Sequence, residues 1–123
     1  MRTEEQFEDT LKDIEAGIIQ IFRRDRGMTD YVVARALEAA ANHYKALVRG
    51  HPPKPVSLSG ADLAVFEAVQ QTCERWLRGQ TDRAPLTAED LLQCVRRLQK
   101  SVNFWTREGG RQGYLTYVGS FLP

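Results

Sequence analysis

Four stretches of the chain repeat apolar residues at spacings of three and four, and a glycine follows each stretch. In the first stretch the apolar series is Phe7, Leu11, Ile14, Ile18 and Ile21. This spacing places the side chains along one side of an α-helix. Glycine is typical of the position after a helix, because a residue without Cβ enters the left-handed conformation at little cost. The pattern predicts four amphipathic helices, whose stops are Gly27, Gly50, Gly79 and Gly109.

We therefore predict an all-α fold, a four-helix antiparallel bundle with a short additional C-terminal helix. At 123 residues one core is enough, so we expect a single helical domain over residues 1–123. The predicted helices cover residues 4–26, 30–49, 60–78, 88–108 and 111–121. The first two are joined by a short connection, which predicts that they lie side by side as a helical hairpin. The prolines of residues 51–57 predict a stiff, non-helical crossing to the third helix.

The segment after Gly110 permits two interpretations. As a helix, its aromatic and apolar residues recur at spacings of three and four, at Tyr114, Tyr117, Val118 and Phe121. As a strand, residues 114–118 are rich in β-favouring types and would pair with residues 104–106 across a glycine-rich turn. We favour the helix, and the hairpin stays open as the alternative.

Charge and hydropathy exclude several classes of protein. The chain carries 17 basic and 16 acidic residues, so its net charge is +1 and it has no overall field that attracts nucleic acid or anionic lipid. No apolar run approaches the roughly 18 residues that a membrane helix needs. The N-terminal residues lack the basic-then-apolar order of a signal peptide. We therefore expect a soluble, cytoplasmic protein that does not contact membranes.

The residue types of common catalytic and metal sites are present without the spacings that those sites need. Two histidines, His43 and His51, occur outside any Glu-x-x-His motif, so we interpret them as a half-buried helix residue and a loop residue. Cys73 and Cys94 would reach similar heights in an antiparallel hairpin, but in a reducing compartment two buried thiols are favoured over a disulfide. The chain also lacks a G-x-S-x-G motif and a phosphate-binding loop. We expect no catalytic residue, metal or cofactor, with a small-molecule or metal-dependent enzyme as the disfavoured alternative.

The C-terminal quarter concentrates the residue types that dominate protein interfaces. Aromatic and arginine side chains supply contact area together with a polar group. The candidate partner-binding residues are Trp105, Arg107, Arg111, Tyr114, Tyr117 and Phe121. They favour a non-catalytic interaction or regulatory module that binds protein, and we expect self-association as a homodimer. The competing interpretation is that these residues fold back and close the bundle.

Nucleic-acid binding is the alternative function. Its candidate residues are basic, and they would lie on the fourth helix and on the segment after it: Arg96, Arg97, Lys100, Arg107 and Arg111. With residues 104–118 as a hairpin, this arrangement would look like a winged helix. The competing interpretation places the first three on the solvated face opposite Val95 and Leu98.

A resemblance to known proteins rests on three pieces of sequence, which read DIEAGIIQIFR, TDYVVARALEA and KSVNFWTREGGRQGYL. They resemble a group of small, uncharacterised bacterial all-helical proteins. The resemblance covers most of the chain and implies a compact, helical, bacterial protein. It implies no activity, substrate or partner.

Overall fold

Four α-helices make up the regular structure of the part of the chain that the structure describes. The computed structural model describes residues 4–24, 29–81 and 84–109, apart from the side chains of residues 22 and 103–109. The helices are α1 (Glu4–Arg24), α2 (Asp30–Val48), α3 (Gly60–Leu77) and α4 (Ala88–Gly109), and these residues include no strand. The predicted all-α bundle is confirmed, whereas the predicted helix over residues 111–121 lies outside the described residues.

The predicted apolar stripes form one continuous core. Each helix contributes side chains that are fully shielded from solvent, among them Ile14, Ile18, Val33, Leu37, Val69 and Val95. Burying an aliphatic side chain of this size contributes roughly 1.5–3 kcal/mol. The helices are therefore held mainly by their shared core. None of them, over the described residues, combines the length and apolar character that a membrane crossing requires.

The order of the helices around this core differs from the hairpin that we predicted. The α2 helix forms the most extensive interface with α4, and α3 packs against both α1 and α2. By contrast α1 and α2 have only slight contact and lie diagonally across the bundle. The predicted side-by-side pairing of α1 and α2 is wrong, because a short connection brings together two helix ends without making the helices neighbours.

Side-chain contacts give the directions of the helices. Asp13 in the middle of α1 contacts Trp76 near the end of α3, and Gly17, further along α1, lies beside Ala68 and Thr72, which come earlier in α3. These two helices are therefore antiparallel. In α2 and α3 the contacts advance together: Arg35 pairs with Asp62, and further along both helices His43 contacts Phe66. These two helices therefore run in the same direction, and the predicted antiparallel arrangement does not hold for this pair. The reason is the long connection between them, which returns along most of α2 before α3 begins.

Hydroxyl residues stand at the starts of α2, α3 and α4, and two of the three cap their helix with a side-chain hydrogen bond. Thr87 and Asp90 at the start of α4 make a reciprocal capping box. The N–H of Thr87 donates to the carboxylate of Asp90 at 3.0 Å, and the N–H of Asp90 donates to the hydroxyl of Thr87 at 3.2 Å. Thr29 accepts a hydrogen bond from the N–H of Val32 at the start of α2. Ser59 occupies the N-cap of α3, but its side chain makes no capping hydrogen bond.

Candidate binding groove

The C-terminal end of α2 reverses the chain and creates a groove. Gly50 adopts φ of 73°, its N–H donates to Leu47, and the N–H of His51 donates to Ala46 at 2.9 Å. Together these bonds form a Schellman motif, which turns the chain back on the helix that it leaves. Residues 51–58 then run back along α2. Because prolines at three of these positions hold the backbone extended, the groove is built from stiff elements.

We call this feature the α2–proline groove and define it as the concave surface between residues 39–49, which are the end of α2 with its C-cap, and residues 51–58. Its volume is about 560 Å³, within the roughly 300–1,000 Å³ typical of ligand sites. Apolar side chains from both walls line it: Ala39, Ala46, Pro52, Pro55, Val56 and Leu58. Val56 and Leu58 also pack on the core, which anchors the returning segment.

Basic side chains surround the apolar lining. Lys45 lies on α2, Arg49 caps its C-terminal end, and Lys54 comes from the opposite wall. No acidic residue lines the groove within the described chain. None of these three cations has a carboxylate of the described residues within ion-pair distance. The groove therefore presents uncompensated positive charge next to apolar surface.

Both histidines also line the groove, and the structure agrees with their predicted settings. His51 is exposed on the returning segment, and His43 is half-buried on α2. The ring of His43 meets the rings of Tyr44 and Phe66 edge-on, with centroids 4.9 and 6.3 Å away. Burial lowers the pKa of His43, and the nearby carboxylate of Glu74 opposes that shift. Its imidazole is therefore part of the packing between α2 and α3.

The predicted nucleic-acid face of α4 is partly neutralised. The guanidinium of Arg97 donates to both carboxylate oxygens of Glu4, at 2.8 and 3.4 Å, and lies 4.0 Å from Glu8. It also stacks over the ring of Phe7, 5.0 Å from the centroid. These contacts hold the pKa of Glu4 below its ordinary value, chiefly through the hydrogen bond from Arg97. Arg97 thus links α4 to α1 and does not point a free charge at solvent.

The remaining predicted site residues are spread over two regions. Arg96 and Lys100 are exposed on α4. Trp105 and Arg107 belong to the last turns of α4, where the structure does not describe side chains. The other four partner-binding candidates lie outside the described residues: Arg111, Tyr114, Tyr117 and Phe121. Their roles stay predictions.

The two cysteines are buried free thiols, as we expected. Burial raises the pKa of both Cys73 and Cys94 to about 12. A thiol must ionise before it acts as a nucleophile or metal ligand, so near neutral pH both side chains behave as small apolar groups. Over the described part of the chain, no cluster of three or more potential metal-ligating side chains occurs.

We did not predict the groove, although the sequence contains two signals for it. Arg49, His51 and Lys54 cluster around the proline run, and Ala39 and Ala46 share a face of α2 that is separate from its apolar series at Val33, Leu37, Ala40, Tyr44 and Leu47. A face of small residues beside a basic, proline-rich segment indicates a surface that is neither core nor ordinary solvated helix.

The chain matches no protein-family model, no curated protein and no solved structure.

Proposed function

We propose that this protein is a non-catalytic interaction or regulatory module, which acts by binding another protein in the α2–proline groove. The observation that carries the proposal is the groove itself, an open apolar concavity with basic surroundings. Apolar surface supplies affinity on desolvation, and polar groups around it fix the orientation of a partner. We further propose a bacterial, cytoplasmic setting for this module.

Preorganisation of the groove supports this function. The Schellman motif at Gly50, the prolines, and the packing of Val56 and Leu58 all hold the walls in place before any partner arrives. A surface that is already ordered loses less conformational entropy on binding, which raises affinity. The groove is thus suited to recognition by shape.

Site-specific photo-crosslinking in cells tests the proposal. A photoreactive residue placed at Ser57, on the exposed wall of the groove, should crosslink to one partner protein. The same residue placed at Arg96, exposed on α4, should not. Filling the groove with Ala46→Trp should abolish the crosslink and weaken binding of the purified partner roughly tenfold or more.

Two further measurements complete this test. A melting curve should show that Ala46→Trp is folded, and Ser57→Trp at an exposed position serves as a second blocking variant. Equal crosslinking from both positions, or full binding by both blocked variants, would remove the groove as the binding surface.

Self-association is the second part of the proposal, and the aromatic composition of residues 105–121 supports it. Mass in solution at micromolar concentration should correspond to a dimer. Tyr114→Ala and Tyr117→Ala should convert that dimer to a folded monomer. A strict monomer in the native protein, with variants that simply unfold, would assign these tyrosines to the core.

A further inference from the structure

We infer that the α2–proline groove takes an acidic, extended segment of its partner, with the carboxylates of that segment paired to Lys45, Arg49 and Lys54. This inference rests on the proposed function, since it names the chemistry of the partner that the groove would bind. It is carried by the position of three cations on both walls of one apolar groove.

Charge complementarity is the first argument. Elsewhere in the described chain, contact faces that carry arginine also carry its counter-charge: Arg35 lies 3.4 Å from Asp62, and Arg97 lies 2.8 Å from Glu4. The cavity between α1 and α3 likewise has residues of both signs, including Asp13 and Arg75. The α2–proline groove has cations alone. An anionic partner would supply the missing negative charge, and the positive charge of the groove would attract that partner as it approaches.

The shape of the groove favours a short stretch of chain. Residues 39–49 cover about 15 Å of helix, which matches roughly five residues of extended polypeptide. Side chains of an extended segment alternate between two sides. One set can therefore enter the apolar lining while the other reaches the basic side chains around it.

The lining also distinguishes a peptide from a nucleic acid. Proteins that hold single-stranded nucleic acid combine positive charge with aromatic side chains on which bases stack. The α2–proline groove is lined instead by alanine, valine, leucine and proline, with no phenylalanine, tyrosine or tryptophan among its described lining residues. Its rings are the two imidazoles, of which His43 is turned edge-on into the core packing and His51 alone is exposed. Such a lining suits aliphatic side chains between carboxylates.

Fluorescence anisotropy with defined peptides tests this inference. The probe is a short labelled peptide that alternates glutamate with leucine, and its control is the same peptide with glutamine for glutamate. The acidic peptide should bind roughly tenfold or more tightly, and its affinity should fall as salt is raised from about 50 to 500 mM. A labelled single-stranded oligonucleotide of similar length should bind more weakly than the acidic peptide.

Charge reversal at matched positions locates the binding. Arg49→Glu with Lys54→Glu should weaken the acidic peptide roughly tenfold or more. Arg96→Glu with Lys100→Glu removes the same number of exposed charges from α4 and should have less than about a twofold effect. All four positions are exposed, so the variants should fold like the native protein.

Three outcomes would overturn the inference. The first is equal affinity for the acidic peptide and the glutamine peptide. The second is an equal loss of affinity for the acidic peptide in the two charge-reversed variants. The third is the absence of saturable binding of the acidic peptide up to about 1 mM. A stronger complex with the oligonucleotide would replace it with nucleic-acid binding. Failure of the proposed function would give a different result: the crosslink to the partner protein would persist unchanged in the Ala46→Trp variant. Equal binding of both peptides that Ala46→Trp abolishes would reject the acidic partner and keep the groove.

Discussion

The indole N–H of Trp76 in α3 donates a hydrogen bond to the carboxylate of Asp13 in α1, across 2.9 Å. Trp76 is 2% exposed, so its N–H would have little access to water without this acceptor. Asp13 also lies 3.9 Å from Arg75, which is an exposed ion pair of small value. The bond to the indole therefore determines what Asp13 contributes to the interface of α1 and α3.

Removal of this bond should destabilise the fold measurably. We expect Asp13→Ala to lower the free energy of unfolding by about 1–2 kcal/mol, because it leaves a buried donor unsatisfied. In a cycle with Trp76→Phe, the coupling energy should be about 1 kcal/mol. Urea denaturation measures both values. Glu67→Ala, at an exposed carboxylate beside the same interface, is the control, and strict additivity in the cycle would contradict the assignment.

The buried carboxyl of Glu15 in α1 should make the folding stability depend on pH. It is 8% exposed, and its Oε2 accepts no hydrogen bond from the described residues. Burial, with a smaller contribution from the negative charge of Glu8, raises the pKa of this carboxyl from 4.5 to about 7. The folded protein thus holds the proton more tightly than the unfolded chain. The resulting stabilisation is complete below pH 4.5 and is lost as pH rises through about 7.

Glu15→Gln should remove this dependence. At about pH 8 the variant should exceed the native protein in free energy of unfolding by on the order of 1–2 kcal/mol, and at about pH 4 the difference should vanish. Chemical denaturation at a series of pH values measures it. Glu38→Gln, at an exposed position of α2, should leave the native pH profile intact. A native-like pH profile in Glu15→Gln would show that another group is responsible.

Two hydroxyl residues at helix starts form a matched pair. Thr87 accepts a hydrogen bond from the N–H of Asp90, whereas the side chain of Ser59 makes no capping bond. We expect Thr87→Ala to cost about 1 kcal/mol of stability and Ser59→Ala to cost almost nothing. Thermal denaturation compares the two. Equal costs would mean that the capping box contributes little to α4.

Alanine substitutions at two glycines test the effect of backbone strain separately from the effect of side-chain packing. A Cβ at Gly50 would meet no atom within 4 Å, but φ there is +73°, so Gly50→Ala should destabilise by about 1 kcal/mol. Gly17 lies within α1, and a Cβ there would meet Thr72 and Ala68 at ordinary distances of 3.7 and 3.8 Å. Gly17→Ala should therefore raise stability by up to about 1 kcal/mol. Destabilisation by both substitutions would indicate a tight contact of α1 with α3.

Local patterns predicted much of the fold. The spacing of Ile14 and Ile18 identified the buried face of α1, and the Thr-x-x-Asp pattern of residues 87–90 is likewise a local signal for the start of α4. Each of these signals depends on residues within one or two turns of helix, where the geometry follows from the periodicity alone. Such signals are readable without knowledge of the rest of the chain.

The neighbours of each helix and the groove required the three-dimensional structure. A buried stripe says that one face of α1 is covered, but it does not say that α3 covers it and α2 does not. Lys54 reaches the side of Lys45 and Arg49 only because Gly50 reverses the chain and residues 51–58 follow α2 backwards. These cations are close together in the sequence, but their spacing alone does not give the path that places them on two facing walls.

The pairing of α1 with α3, and of α2 with α4, interleaves the two halves of the chain. During synthesis, α1 and α2 emerge first, yet they have little surface to bury on one another. The apolar stripe of α1 stays open until α3 follows, and α2 meets its most extensive partner last. We therefore expect the nascent chain to remain unassembled until α3 and α4 have emerged, and fragments that end before α3 to aggregate.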